Sequence, residues 1–166
     1  LALAEDKAEK DIMKRKPNRE KSIFNKNKVF QIIYQGIMMG MIMFTAYVIG
    51  LSVDGDTEYK IKVAQTMAFM SVGLGELVHV FNVRSKLSVF LSKPFNNKYL
   101  VLAVIVNTAL MLLTMFIPFM REVFGLVVLP TSFTLELTLL IVSPLIIVEF
   151  MKLTGLNNLF AENKKG

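Results

Sequence analysis

The chain has 166 residues, 19 Lys and Arg, 13 Asp and Glu, one His and no Cys, for a net charge of +6. Hydrophobic residues make up 54% and charged residues 19%, against about a quarter charged in a typical soluble domain. Charge is nearly absent from four long stretches, which excludes a disordered chain, a coiled coil and a soluble enzyme with one water-facing surface. The lack of Cys excludes disulfides, zinc-thiolate centres and Cys nucleophiles, and a single His excludes a multi-histidine metal site.

Residues 1–28 are polar and carry nine Lys or Arg among five acids. The charges run through the whole segment and no cleavage site follows the next apolar run, so this is not a signal peptide. A short helix over Glu5–Met13 is expected to stop at Lys16-Pro17. Residues 29–51 then hold no charge over 23 positions. At 1.5 Å per residue that run reaches roughly 34 Å, enough for a bilayer core of about 30 Å. Residues 52–62 read as a short polar loop that turns at Asp54-Gly55.

Residues 63–82 form a weaker span that contains Gln65, Glu76, His79 and Asn82 as well as Gly73 and Gly75. Residues 83–98 form a basic connector, 99–119 a charge-free third span, and 120–131 a short loop ending in Pro130. The fourth span, 132–151, contains Glu136, Glu149 and Pro144, where a kink is possible. Residues 152–166 are a polar tail. The expected fold is therefore an all-α membrane protein, a four-transmembrane-helix bundle. Four buried helices of a soluble bundle would each show a polar stripe, and these do not.

Within the spans, Glu76 is the most informative residue. A carboxylate in a membrane helix costs at least a few kcal/mol unless it faces protein or water. At 100° per residue Gln65, Gly73 and His79 share its side of the helix, so these polar groups are expected to cluster, with Gly73 admitting another backbone. The arrangement suits a ligand for a hard cation, which prefers oxygen donors, or a proton relay; a protonated Glu packing against a neighbouring helix is the structural alternative. His79 reads as a satisfied interfacial side chain, with proton relay the alternative. Asn107, Thr108 and Thr114 are expected to bond between helices. Glu149 and Lys152 suggest a snorkelling ion pair, and Glu136 a group reaching water.

Gly36 and Gly40 form a small-xxx-small pattern that permits close helix packing. Met38, Met39, Met41 and Met43 point apart on a helix and read as adaptable packing, not a soft-metal site. The sequence has no Gly-rich phosphate loop and no Ser/His/Asp set, so no ATP binding and no covalent catalysis is expected of these residues. The basic N-segment suits anionic lipid headgroups better than nucleic acid, and no nucleic-acid partner is expected.

Leu1-Ala2-Leu3-Ala4 with Asp11-Ile12-Met13 and Pro17 is similar to the loop after the sixth membrane helix of P-type cation pumps. Thr66-Met67-Ala68-Phe69 and Asn82-Val83-Arg84-Ser85 resemble the eighth helix and its exit. Asn97-Lys98-Tyr99-Leu100 with Pro118 resembles the ninth helix, and Ser143, Glu149 and Lys152 the tenth. The ordered set covers nearly the whole chain and looks most like the calcium-pump branch.

The resemblance implies a C-terminal membrane domain comprising helices seven to ten of the pump. It implies that Glu76, six residues before Asn82, donates an oxygen to a transported-ion site, and that Gly36 and Gly40 pack on the fifth helix. The partners implied are the lipid bilayer and the pump's remaining membrane helices and cytoplasmic domains. The full-length protein would use ATP and Mg, with Ca as the transported ion, in the plasma membrane of a prokaryote. No cofactor would lie in these residues, and they would be inactive alone, because the phosphorylated Asp, the nucleotide and actuator domains and the other ion ligands lie elsewhere. Asn18 departs from the family's Arg, and His79 has no counterpart in its ion site. The alternatives are a free-standing four-helix membrane protein, either a transporter accessory subunit or a small channel, and a purely structural bundle. A gene of its own would begin with Met, whereas this chain begins Leu1-Ala2.

Sixteen of the Lys and Arg residues fall in 1–28, 83–98 and 152–166, against three in the other loops. The positive-inside rule then predicts both termini in the cytoplasm. Single Cys substitutions at Ser88 and Asp56 are expected to react oppositely with an impermeant thiol reagent in intact cells, Asp56→Cys labelling from outside and Ser88→Cys not. Labelling of Ser88→Cys alone, or of both equally, would contradict this topology.

Overall fold

A computed structural model describes residues 26–83, 89 and 94–154. The expectations for residues 1–25 and 155–166, including the short helix over Glu5–Met13, and most of those for the connector, lie outside the described residues. Among the described residues five α-helices follow in order: α1 (Lys26–Gly50), α2 (Thr57–Val83), α3 (Lys98–Phe116), α4 (Pro118–Phe124) and α5 (Thr134–Leu153). All but α4 are long and apolar enough to cross a bilayer.

The boundaries differ from the apolar runs because capping chemistry places them. The loop after α1 is shorter than the polar stretch 52–62 suggests, since α2 begins at Thr57. The Asp56 carboxylate accepts from the Tyr59 amide at 2.8 Å, as an N-cap does, and Glu58 pairs with Lys62 one turn on at 2.7 Å. Polar residues 57–62 therefore complete a helix turn instead of a loop. Gly55, with φ of 151°, supplies the backbone conformation the expected Asp54-Gly55 turn needs.

The third span ends early, at Phe116. Pro118 has no amide hydrogen, and Ile117 before it is extended, with φ −80° and ψ 118°. The chain then starts a new short helix, with Pro118 in its first turn, where the missing donor costs nothing. Much of the expected loop 120–131 is thus helical, and α4 stops at Gly125, whose φ is 65°. At the other end of α3, Asn97 caps the helix by accepting from the Leu100 amide at 3.0 Å.

Pro144 lies inside α5, which continues through it to Leu153. A proline there leaves the carbonyl of Leu140 without its usual amide partner. The Ser143 hydroxyl donates to that carbonyl at 2.8 Å. Other hydroxyl and amide side chains in the apolar helices close on their own helix in the same way: Thr45 on Met41, Thr138 on Thr134, Thr114 on Met111 and Asn107 on Ala103. Asn107 and Thr114 therefore do not bridge helices as their polarity suggests. With no water to accept them, the nearest carbonyl wins.

Helix α2 is the hub: it packs on α1, on α5 and on α3, while α1 also touches α5. One core cluster joins Ala46 of α1, Val63 and Met67 of α2 and Phe133 before α5; another joins Met38 and Ile42 of α1 to Val148 of α5. Met38 is buried while Met41 and Met43 are exposed, so the methionines diverge as their spacing requires. Helix α3 is peripheral, and its most apolar window is 6% buried against 39% for that of α2. Its joint with α2 is a knob in a hole: the Met111 side chain fills the space left open at Gly73. Gly73 thus admits a side chain, not another backbone.

The tightest helix crossing lies at the C-terminal end of α1. A Cβ added to Gly50 would sit 2.5 Å from the Ala64 Cα and 2.9 Å from its amide nitrogen, both backbone atoms of α2. Ala46, one turn earlier, is fully buried, as are Val63 and Ala64. Ala46 and Gly50 are a second small-xxx-small pair, and this one brings two backbones together. Gly50→Ala is expected to destabilise the protein by about 1–3 kcal/mol, the usual cost of overpacking, because the obstruction is backbone and cannot rotate away. A lower melting temperature in detergent is the expected readout, and an unchanged one would mean that α1 and α2 do not meet there.

Candidate functional site

Helix α2 carries every polar residue singled out in the second span, and its packing sorts them. The apolar core and α5 take one side: Met67, Met70, Ser71 and Gly75 are buried there. Thr66 is buried between α2 and the segment after α4, donating to the Lys62 carbonyl at 2.7 Å and accepting from the Val127 amide at 3.0 Å. The other side meets α3 through Met111 at Gly73 and α4 through Phe124 at Phe69, and is otherwise open. Gln65 and Glu76 are both exposed on it. Glu76 makes no hydrogen bond or ion pair among the described residues.

The expected cluster of Gln65, Glu76 and His79 does not form. Gln65 and Glu76 share a face but stand eleven residues apart, about 16 Å along the axis. One cation cannot touch both. His79 turns inward and is buried, and neither ring nitrogen has a hydrogen-bond partner among the described residues. It is therefore not a satisfied interfacial side chain. Its helical offset from Glu76 is 300°, which sits at the edge of the shared face, so periodicity alone does not settle which side it joins. Among the described residues no three His, Asp or Glu side chains come together as a metal centre. Glu76 stands as a single carboxylate on an apolar, outward face.

Gly36 and Gly40 face away from the core of this chain. A Cβ at either would meet nothing within 4 Å. Ile33, Ile37 and Phe44 are exposed beside them, so the back of α1 is an apolar strip with a shallow groove at the glycines.

At the C-terminal end of α2 the structure builds a polar knot between Asn82, Glu149 and Lys152. The Glu149–Lys152 pair expected from the sequence is present at 3.2 Å, but with side chains 9% and 8% exposed it is buried, not snorkelling. Its environment explains the difference, because both groups have buried work to do on other elements. Lys152 donates to the Asn82 carbonyl at 2.9 Å, and Glu149 accepts from the Val89 amide at 3.0 Å. Glu136, near the start of α5, does not reach water with both oxygens; its Oε2 is buried without a hydrogen-bond partner.

Sequence reading missed two functional features of the packing. The Ala46/Gly50 pair has the same spacing as Gly36/Gly40 and was visible as such. The links from Lys152 and Glu149 to Asn82 and Val89 span 60 residues or more, and no local pattern announces them.

Four bilayer-length helices among the described residues, three of them around a common core, with a carboxylate and a bare glycine groove on their outer faces, define an integral membrane domain. Residues 1–154 match the family described as cation transporting ATPase, C-terminus. The calcium-transporting ATPase of Bacillus subtilis (strain 168) is 35% identical over 125 residues, which is 75% of this chain and 14% of that protein. Calcium-transporting ATPase 1 of Bacillus cereus is 31% identical over 170 residues, 95% of this chain and 19% of that protein. A calcium-transporting ATPase of Listeria monocytogenes is 30% identical over 138 residues, 82% of this chain and 14% of that protein.

The chain belongs to the cation transporting ATPase C-terminus family. It spans less than a fifth of the length of these curated relatives.

Proposed function

We propose that this chain is the C-terminal, four-span membrane domain of an ATP-driven calcium pump in a prokaryotic plasma membrane, with both termini cytoplasmic. It scaffolds the ion-transport helices of the full-length protein and donates the Glu76 carboxylate to an ion site. The nucleotide chemistry, with ATP and Mg, belongs to domains outside these residues. The names of the bacterial relatives support calcium as the ion.

The observation that carries this reading is the exposed, partnerless Glu76 on a helix of bilayer length. Left facing lipid, a carboxylate costs at least a few kcal/mol, so it needs a partner from outside the chain. Calcium takes six to eight oxygens, and one carboxylate offers two at most. The remaining donors therefore come from helices that pack on the open side of α2. The bare groove at Gly36 and Gly40 supports a second contact of the same kind, where a helix from the rest of the pump approaches α1 closely.

In the full-length protein, Glu76→Gln is expected to raise the calcium concentration for half-maximal ATPase activity several-fold at normal expression. Gln keeps the size and one carbonyl oxygen but removes the negative charge that a hard cation favours. A packing-only Glu76, protonated and hydrogen-bonded, is nearly equivalent to Gln, so an unchanged half-saturation value would make Glu76 structural. Gly36→Leu and Gly40→Leu are expected to leave membrane insertion intact and to lower calcium-dependent turnover. Wild-type turnover in both variants would mean that no helix packs in the groove.

A further inference from the structure

We infer that Asn82, Glu149 and Lys152 form a buried clasp that fixes the rotation and depth of α2 against α5, and through α2 positions Glu76. The clasp has three connected parts. The Asn82 side-chain amide donates to the Leu145 carbonyl at 3.2 Å and to the Pro144 carbonyl at 3.4 Å. The Lys152 ammonium donates back to the Asn82 carbonyl at 2.9 Å and to the Glu149 carboxylate at 3.2 Å. That carboxylate accepts from the Val89 amide at 3.0 Å, tying in the connector that leaves α2. Asn82 is 2% exposed and both charged side chains are buried.

Each contact has a reason to be specific. Asn82 is the penultimate residue of α2, so its carbonyl has no amide four residues on within the helix. A cation there also meets the negative end of the helix dipole. Lys152 lies in the last turn of α5 as well, so one ammonium serves the C-termini of both helices. The two helices run parallel, with Val63 near Phe133 at one end and Asn82 on Leu145 at the other.

Gly50 against Ala64 and Thr66 against Val127 fix the N-terminal half of α2, and the clasp fixes its C-terminal end. Past Met70, the α2 face toward α5 presents Gly75, which lies against Pro144 and the Ile141 carbonyl without a side chain of its own. Glu76 follows directly. A slip of α2 by one residue swings that carboxylate by 100° and about 1.5 Å, enough to take it off an ion. A buried ion pair is weak support for stability but sets register well when its partners are directional. Here the partners are backbone groups of the two helices and the connector.

The proposal rests on the pump reading only for the effect on ion affinity; the geometry of the clasp can be read separately. The test uses the full-length protein with any Cys outside this chain replaced. Nitroxide pairs are placed at exposed positions, one at Val83 and Phe150 beside the clasp and one at Ile61 and Leu135 at the far end. Glu149→Leu with Lys152→Met removes both charges at similar volume, and Asn82→Leu removes the amide while keeping the backbone carbonyl. Pulsed electron–electron distances are expected to shift or broaden at Val83–Phe150 and to stay at the wild-type value at Ile61–Leu135. Half-saturating calcium is expected to rise about threefold or more, with turnover at saturating calcium nearly unchanged. Wild-type distances at Val83–Phe150, in whichever variant reaches the membrane, would overturn the clasp and leave the ion pair as packing. Shifted distances with unchanged calcium affinity would uphold the clasp and instead overturn Glu76 as a ligand.

Discussion

Inside a bilayer no solvent accepts a hydrogen bond, so every polar group of a spanning helix must find its partner within protein. Most features of this chain follow from that constraint. Ser143 closes on the carbonyl that Pro144 leaves open. Asn107 and Thr114 fold back on their own helix. Asn82, Glu149 and Lys152 are buried only as a mutually bonded set. Some groups break the pattern: both ring nitrogens of His79 and the Glu136 Oε2 are buried without a partner among the described residues, and Glu76 is exposed on an apolar helix, likewise without one.

The same constraint changes what holds the helices together. Lipid tails are as apolar as Leu, so burying apolar side chains drives association far less than in water. Close backbone approach and shape take its place. Gly50 against Ala64 and Met111 in the space at Gly73 are two versions of this, one backbone to backbone and one side chain to hole. They leave α1, α2 and α5 as a unit and α3 at its edge. The outer faces of α1 and α2 stay uncovered, and both carry residues that suit contact with another helix: a glycine pair on one and a carboxylate on the other.

The two sides of α2 are occupied differently. The inner side of α2 is occupied by packing and by the polar knot at its C-terminal end. The outer side meets α3 at Gly73 and α4 at Phe69 and otherwise presents Glu76. Hydrogen bonds to other segments hold α2 at Thr66 near one end and at Asn82 near the other.

The sequence by itself determined the class of structure. Four runs of about twenty apolar residues allow only spanning helices, and the positive-inside rule gives an expected orientation without any tertiary contact. It also singled out Glu76, because a charge in such a run is costly wherever the helix is placed. Helix ends were legible only in part. Asp56, Pro118 and Gly125 are local signals that place α2, α3 and α4, yet an apolar-run boundary overlooks them. What only the tertiary structure decided is which side of each helix is covered. Helical periodicity puts His79 beside Glu76, but it lies at the edge of that face, and the folded chain buries it. Gly36/Gly40 and Ala46/Gly50 have identical spacing, and only the crossing of α1 with α2 selects the second pair. The clasp joins residues 60 and 70 positions apart, whose partnership depends on α2 and α5 lying parallel, and no periodicity within one helix can encode that.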